Sequence, residues 1–241
     1  MGKDSLYSRP QSNIGDFVFD EKVAACFDDM IIRSVPGYAS IIAMVGVLAE
    51  QYAQDNTRCY DLGCSLGAGI VSMRQRITRP GIKIIGVDNS AAMLERCRQN
   101  VERSKAGPTV ELISMDIRDC EIADASVVVM NFTLQFIDEN ERQDLIDRIY
   151  AGMRPGGIFI LSEKIAFEEK DEEALQTKLY HNFKKLNGYS DLEIAQKRTA
   201  LENVLVPDTL GEHRDRLDIA GFKSVNIWFQ CFNFMSLVAI K

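Results

Sequence analysis

The feature that most constrains the fold of this chain is the alternation of apolar runs with helical patterns through its central part. Five runs have the residue types and lengths of β-strands, and the stretches between them carry helix start signals. The runs lie at 58–62, 83–88, 110–113, 125–130 and 157–161. Runs that are apolar almost throughout are typical of parallel strands, because helices cover both faces of a parallel sheet. The sequence therefore predicts an α/β fold with a mostly parallel sheet.

Two flanking regions and a terminal pair of strands complete the predicted organisation. Residues 1–55 are mostly helical in pattern, and residues 165–215 are charged and helical, with two capping-box signatures. The runs 223–227 and 232–240 are separated by a short connection that fits a hairpin. We expect a single domain with three parts: an N-terminal helical cap at 1–55, a core at 56–164 and 216–241, and a helical insert at 165–215.

Composition and charge argue against several classes of function. The chain has 241 residues and a net charge of −7. This charge opposes unaided binding to nucleic acid, because that affinity comes largely from Lys and Arg that neutralise phosphates. The six cysteines show no C-x-x-C spacing and lie far from the two histidines in sequence, which argues against a zinc site or a disulfide framework. No apolar run approaches the about 20 residues needed to span a bilayer, and no secretory leader pattern is present. We expect a cytoplasmic protein with no metal, no membrane contact and no direct nucleic-acid partner.

The turn after the first strand, YDLGCSLGAG at 60–69, points to a nucleotide-like ligand. A loop that leaves a strand and enters a helix offers backbone N–H groups and the positive end of the helix dipole, and Gly63 and Gly67 allow close approach. No Lys-Ser or Lys-Thr follows, so this is no Walker loop, and the G-x-G-x-x-G spacing of dinucleotide sites is absent. These exclusions leave a ligand that has a ribose but no phosphates. Asp88, 25 residues after Gly63, ends the second strand, where a carboxylate can accept both ribose hydroxyls.

Four motifs in this order resemble a known group of enzymes. The segment 61–67, then Asp88, Asp116 and Asn131, are similar to the successive S-adenosylmethionine contacts of class I methyltransferases. The resemblance implies a Rossmann-like seven-stranded sheet with an antiparallel last strand, and S-adenosylmethionine as ligand. Ser65 departs from the pattern, because most such turns have glycine at this position.

The chain as a whole resembles one family within that group. The segments DLGCSLGAG, GVDNSAAMLERCR, NFTLQFI and AQKRTALENVLVPDTLGEHR are similar to those of the carboxy-S-adenosyl-L-methionine synthases. The resemblance implies an enzyme that does not methylate. It implies that a sulfonium ylide of S-adenosylmethionine takes up the carboxyl group lost by prephenate, which yields carboxy-S-adenosylmethionine and phenylpyruvate. It further implies a homodimer whose product passes to a separate enzyme that modifies a wobble uridine of tRNA.

The same resemblance assigns ten residues to the site. By their expected roles they are Tyr38 from the cap; Gly63, Cys64 and Ser65 under the methionine portion; Asp88 and Asn89 at the ribose; Asp116 and Ile117 at the adenine; Asn131 near the reacting group; and Arg198. The resemblance gives Arg198 the catalytic role of pairing with the new carboxylate, supplied across the dimer interface. A guanidinium suits this role because it is a permanently charged, two-pronged donor.

Other interpretations remain open at this stage. The chain could be a conventional methyltransferase for a small molecule, or a non-catalytic S-adenosylmethionine-binding protein. Asp116 could simply cap a turn, Asn131 could be a turn residue, and Arg198 could be solvated on a charged helix. His181 is predicted to be a surface or interface residue instead of a base, and Cys64 a small packed side chain.

Overall fold

The computed structural model describes residues 2–104 and 107–241 and contains one seven-stranded sheet. The strands are β1 (Arg58–Leu62), β2 (Lys83–Asp88), β3 (Thr109–Ser114), β4 (Ala125–Asn131), β5 (Met153–Lys164), β6 (Ser224–Cys231) and β7 (Phe234–Ile240). They are ordered β3-β2-β1-β4-β5-β7-β6, and β1 to β5 run parallel. The last strand, β7, is antiparallel to both of its neighbours, β5 and β6. The predicted mostly parallel sheet with its terminal hairpin is confirmed.

In the described part of the chain, eight α-helices and two short 3-10 helices surround the sheet. The α-helices are α1 (Glu21–Ser34), α2 (Tyr38–Tyr52), α3 (Ala68–Arg76), α4 (Ala91–Arg103), α5 (Glu139–Gly152), α6 (Lys170–Leu186), α7 (Asp191–Leu201) and α8 (Leu210–Ala220). The 3-10 helices span Ile117–Asp119 and Leu134–Phe136. Both predicted capping boxes are present, at the start of α7 with Ser190 and at the start of α8 with Thr209.

The core lies on both faces of the sheet, as the apolar runs predict. Along β4, Val127 and Val129 pack in the cluster that contains residues of α2, α3 and α4. Val128 and Met130 alternate with them and pack in the opposite cluster, with residues of α5 and α8. Because successive side chains of a strand point to opposite faces, a strand covered on both faces is apolar at most of its positions.

The structure changes two details of the predicted organisation. Residues 2–20 of the predicted helical cap contain no α-helix and instead run as an irregular strap against α7, where the Phe17 N–H donates to the Ala200 carbonyl over 2.8 Å. Pro10 and Gly15 disfavour helix in this segment. The insert also ends earlier than 215, because α8 begins at residue 210 and packs on α5 as part of the core.

Three further observations concern the described residues. No single helix among them is long and apolar enough to cross a membrane, whereas α1 and α2, bent by 98° at their junction, pass that test only as a pair and only by length and composition. All six cysteines have free thiols. In the part of the chain that the structure describes, no group of three or more His, Cys, Asp or Glu side chains is arranged to hold a metal ion.

Candidate active site

A cavity of about 1020 Å³ lies at the carboxyl ends of the parallel strands, between the sheet, the strap with α1 and α2, and the insert. All ten residues predicted for the site line this one cavity. Ligands of open α/β sheets bind outside the carboxyl ends of the strands, where the connections on neighbouring strands diverge. The volume is at the upper end of the range for small-molecule sites, which leaves room for two ligands side by side.

The glycine-rich turn follows β1 and enters α3 through three left-handed residues. Gly63, Ser65 and Gly67 have φ angles of +80°, +48° and +81°. A side chain at position 63 would overlap the Thr133 side chain, so the turn after β1 and the loop after β4 approach each other closely at this glycine. Ser65 therefore adopts the backbone conformation that glycine usually supplies in such turns, and this strained residue lies at the site.

Asp88 ties the end of β2 to that turn. Its carboxylate accepts the Ser65 N–H and the Ser90 N–H, both over 2.8 Å. Burial raises the pKa of Asp88, against these N–H donors, which lower it. Each carboxylate oxygen has a second lone pair, so both can still accept a ribose hydroxyl. Asn89, next in sequence, is exposed at the rim of the cavity.

Asp61 lines the cavity and belongs to the motif 61–67, but the sequence interpretation assigned it no role of its own. It is 2% exposed, and burial followed by the charge of Asp88 raises its pKa to about 7. The Ile70 N–H at the start of α3 acts in the opposite direction. One feature of the sequence could have identified Asp61 as a site candidate: it is an acidic residue inside a strand. Acidic side chains are almost never fully buried without a partner.

Asp116 has a structural contact as well as a place in the cavity wall. Its carboxylate accepts the Arg118 backbone N–H, which caps the following 3-10 helix, and it pairs with the Arg118 guanidinium at 2.8 Å. The hydrogen bond from that guanidinium is the largest influence on the pKa of Asp116 and lowers it. Burial acts in the opposite direction, and the capping N–H lowers the pKa further. Capping and ligand contact are therefore compatible at this residue, and the buried Ile117 beside it provides an apolar surface.

A buried carboxylate accepts hydrogen bonds from the backbone of the loop after β4 and fixes its position. Glu163 on β5 is fully buried and accepts the backbone N–H groups of Thr133, Leu134 and Gln135 over 2.8–3.2 Å. Burial raises the pKa of Glu163 to about 8, against the effect of these donors. The anchored loop includes Phe132, which has a φ of +60°. Strain of this kind persists only where the surroundings enforce it.

Asn131, at the end of β4, has a side-chain oxygen that is free to bind a ligand. Its Oδ1 atom is buried and has no hydrogen-bond partner among the described residues. A buried carbonyl oxygen without a partner costs about 1–3 kcal/mol, which a ligand donor would offset. Together with the free lone pairs of Asp88, this atom fits a ligand that carries both hydroxyl and amino donors. These residues therefore fit S-adenosylmethionine.

The N-terminal cap contributes Tyr38, which begins α2 directly after the left-handed residue Gly37. Tyr38 is partly buried beside a cluster of aromatic residues, and burial raises the pKa of its hydroxyl. Cys64, buried in the turn, has a thiol pKa raised by a hydrogen bond with Cys97 and by burial. It is packed, as expected, and is not in the reactive thiolate form.

One side of the cavity is a wall of cationic and basic side chains, which we call the basic wall: Lys164, His181, Lys184, Lys197 and Arg198. Arg198 is exposed on α7, at the mouth of the cavity. His181 is half-buried in the single chain and lines the cavity, and its predicted surface or interface position stays a prediction. Burial lowers the pKa of His181, and the nearby Lys184 and Arg198 lower it further.

The lysines of the basic wall were missed by the sequence interpretation. Lys184 and Lys197 are 5% and 6% exposed, and burial lowers their pKa values to about 7 and about 8. In sequence they belong to charged helices, where most lysines are solvated. No local signal distinguishes them, because their burial depends on how the insert folds over the sheet.

Comparison with known proteins places this site in a family. The family model described as "Methyltransferase domain" matches residues 60–157. The chain is 56% identical over 99% of its length to a carboxy-S-adenosyl-L-methionine synthase of Aliivibrio fischeri (strain MJ11), and covers 98% of that protein. It is 57% identical over 99% of its length to the synthase of the same name from Trichlorobacter lovleyi, again covering 98% of that protein.

A solved structure agrees on the fold. The O-methyltransferase-like protein of Nostoc punctiforme superposes with a TM-score of 0.65 at 16% identity, over 92% of this chain and 59% of that one. The likeness concerns the methyltransferase fold alone. The identities over nearly full lengths are more specific, and by them the chain belongs to the carboxy-S-adenosyl-L-methionine synthase family of enzymes.

Proposed function

We propose that this enzyme transfers the carboxyl group of prephenate to S-adenosylmethionine, as a cytoplasmic homodimer, and that its product serves a separate enzyme that modifies a wobble uridine of tRNA. One observation carries the proposal: a single cavity has the nucleoside-type turn on one side and the basic wall on the other. A conventional methyl acceptor needs no such accumulation of cations. An anionic second substrate does, because each carboxylate taken from water needs a partner.

The proposed chemistry balances without an external base. In prephenate, the electron pair of the bond to the departing carboxyl group enters the ring, which becomes aromatic and expels its hydroxyl group as hydroxide. Hydroxide removes a proton from the S-methyl group and becomes water. The resulting carbon nucleophile, stabilised by the positive sulfur, attacks the released carbon dioxide and forms the new C–C bond. The products are carboxy-S-adenosylmethionine, phenylpyruvate and water.

The residues of this chain would hold and shield the reactants. Asp88 would accept the ribose hydroxyls, and Asn131 would accept a donor of the ligand near the loop anchored by Glu163. Arg198 would pair with the carboxylate as it forms. The cap and the insert cover the edge of the sheet, which keeps out bulk water and keeps in carbon dioxide.

Label transfer tests the reaction. The purified enzyme is incubated with S-adenosylmethionine and prephenate labelled in its ring carboxyl group, and the nucleosides are analysed by mass spectrometry. We expect a labelled sulfonium nucleoside heavier by one carbon dioxide, together with phenylpyruvate. An unlabelled nucleoside would contradict the proposal, and methylation of an added acceptor would support the conventional methyltransferase.

The exposed face of α6 supports the proposed homodimer. Leu175, Leu179 and Leu186 lie on one helical face at exposures of 54%, 37% and 85%. Ile32 of α1, a helix in contact with α6, is 59% exposed. Exposed apolar side chains that share one helical face are typical of a protein interface.

Mixing two variants tests whether Arg198 acts across the interface, since Arg198 of a single chain already lines its own cavity. Subunits with Arg198→Ala are exchanged with subunits carrying Asp88→Ala. The assay uses S-adenosylmethionine at a concentration too low to fill the weakened Asp88→Ala site. If Arg198 acts across the interface, a mixed dimer has one complete site and is then more active than either variant alone. Mixed dimers that form and stay inactive would show that Arg198 serves its own subunit.

A further inference from the structure

Lys184 is a buried cation without a partner. It lies on α6, is 5% exposed, and among the described residues makes no hydrogen bond or ion pair with its side chain. Its Nζ atom lies 4.7 Å from the centroid of the Tyr180 ring. A charged group withdrawn from water in this way is costly unless a counter-charge accompanies it.

The other buried lysine of the basic wall shows the contrast. Lys197 lies 3.7 Å from the Asp4 carboxylate and donates to the Ser34 hydroxyl over 3.2 Å. It is thus neutralised by the N-terminal strap. Lys185, next to Lys184, is exposed and pairs with Asp191. Only Lys184 of these three is left to face the cavity with an unpaired charge.

The surroundings of Lys184 are cationic. After burial, the charges of Lys197 and Lys164 are the largest influences that lower its pKa, and Asp4 is the acid that opposes them. Lys164 in turn has Glu173 and Arg198 as its charged neighbours. The net positive field at this end of the cavity therefore attracts an anion.

An aromatic surface lies next to this field. The rings of Tyr180 and Phe234 are 5.0 Å apart, and those of Phe132 and Phe234 are 5.9 Å apart, in edge-to-face arrangements. All three residues line the cavity. Aromatic rings bury a large apolar area and favour another ring as a neighbour. The combination suits a small acid that carries a six-membered ring.

We propose that Lys184 binds the carboxylate that the second substrate retains, with the substrate's ring packed on Tyr180, Phe132 and Phe234. This inference rests on the proposed function for the identity of the acid. A cation on the retained carboxylate contributes equally before and after decarboxylation. A cation on the departing carboxylate would instead stabilise the ground state and oppose its loss as neutral carbon dioxide. Lys184 thus recognises the substrate acid, and Arg198 pairs with the product nucleoside.

Phenylpyruvate is the probe for this subsite, because it has the ring and the retained carboxylate but cannot react. Calorimetric titration compares wild type, Lys184→Met and the matched control Lys185→Met, each saturated with S-adenosylhomocysteine. We expect Lys184→Met to bind phenylpyruvate roughly ten- to a hundredfold more weakly, as for a lost charged hydrogen bond, with S-adenosylhomocysteine affinity unchanged. Lys185→Met should bind both ligands as wild type does.

A second measurement separates this role from a structural one. Removal of an unpaired buried charge should raise the unfolding temperature, so Lys184→Met should be more stable than wild type while it loses the acid. Equal phenylpyruvate affinity in Lys184→Met and wild type, or a lowered unfolding temperature, would overturn the inference. Wild type should also prefer phenylpyruvate to pyruvate, and equal affinity for these two acids would overturn the role of the aromatic surface.

Because these titrations involve no turnover, they are independent of the label-transfer experiment. Phenylpyruvate binding through Lys184 without label transfer from prephenate would support the proposed subsite and contradict the proposed reaction. Undiminished label transfer in Lys184→Met would support the proposed reaction and contradict the proposed role of Lys184.

Discussion

The two sides of the cavity are built in different ways. The nucleoside side is made by residues at strand ends, chiefly the turn at Gly63 and the carboxylate of Asp88, which accepts a hydrogen bond from the Ser65 backbone N–H of that turn. The basic wall consists of side chains from β5, α6 and α7, and the N-terminal strap neutralises one of them at Asp4. The first depends on backbone geometry, and the second on charge and burial.

This difference indicates how the family's reaction is accommodated on a methyltransferase fold. The nucleoside side is formed at the strand ends of the methyltransferase fold. The insert adds cations on the far side of the same cavity, where a second substrate would lie. If this division is correct, substitutions on the two sides should have separable effects.

The largest expected effect concerns Arg198. Arg198→Ala should reduce formation and retention of the carboxylated nucleoside by about a hundredfold or more, because truncation leaves a desolvated carboxylate without its partner. Affinity for S-adenosylhomocysteine should change little, because that ligand lacks the extra carboxylate. Turnover is followed by mass spectrometry, and affinity by calorimetry.

Arg198→Lys is the matched variant and should recover only part of the activity, because an ammonium cannot reproduce a paired hydrogen bond. Undiminished product formation by Arg198→Ala would mean that Arg198 has no role in the reaction. Equal loss of nucleoside affinity and turnover in Arg198→Ala would mean that the two sides of the cavity do not act separately.

A smaller effect is expected on the nucleoside side. Asp88→Ala should weaken S-adenosylhomocysteine binding by about tenfold or more, since each charge-assisted hydrogen bond contributes roughly 1.5–3 kcal/mol. Phenylpyruvate affinity should persist. Asp55→Ala serves as control, because Asp55 is exposed before β1, at the opposite end of the strand, and pairs only with Arg79. Unchanged nucleoside affinity in Asp88→Ala would mean that Asp88 is not the ribose partner.

The sequence predicted the nucleoside side well because its signals are local. The bounds of β1 and β2 match their apolar runs, and Gly63, Ser65, Asp88 and Asn131 follow strands whose carboxyl ends must meet at one edge of a parallel sheet. Asp61 lies in the motif 61–67 but received no role of its own, because its burial and its interaction with Asp88 are tertiary properties.

The basic wall and the strap were poorly predicted, for physical reasons. Lys184 and Lys197 have ordinary helical surroundings in sequence, and only the packing of the insert against the cap buries them. The strap at 2–20 has little local preference of its own, and its path depends on distant contacts such as Gln11 with Gln196. Arg198 was placed by resemblance alone, and the structure adds that it lines the same cavity.

The pH dependence of the free energy of unfolding tests whether Lys184 of the basic wall is buried. The pKa of Lys184 falls from 10.5 to about 7, so between these values the unfolded chain holds a proton that the folded chain lacks. Stability from this group therefore rises with pH across that window. Lys184→Met should exceed wild type in unfolding free energy by about 2–4 kcal/mol at pH 7, and this advantage should shrink towards pH 10.

Urea unfolding at pH 7, 8.5 and 10 provides that measurement, with Lys185→Met as the exposed control. A Lys184→Met advantage that stays constant across these pH values would mean that the lysine is solvated in the folded protein.

The smallest expected effect is on nucleic acid. The protein should not retain purified tRNA at physiological salt, because its net charge of −7 opposes phosphate binding. A gel-shift assay is sufficient. Sub-micromolar binding would mean that the basic wall, or another surface, serves RNA instead of a small acid.

Independent occupancy of the two sides is tested most directly by one cross-titration. Phenylpyruvate is titrated calorimetrically into wild type, Asp88→Ala and Lys184→Met, each with and without saturating S-adenosylhomocysteine. We expect wild type to bind both ligands at once, Asp88→Ala to lose chiefly the nucleoside, and Lys184→Met to lose chiefly the acid. Competition between the two ligands in wild type, or joint loss of both in either variant, would contradict a cavity with two separate sides.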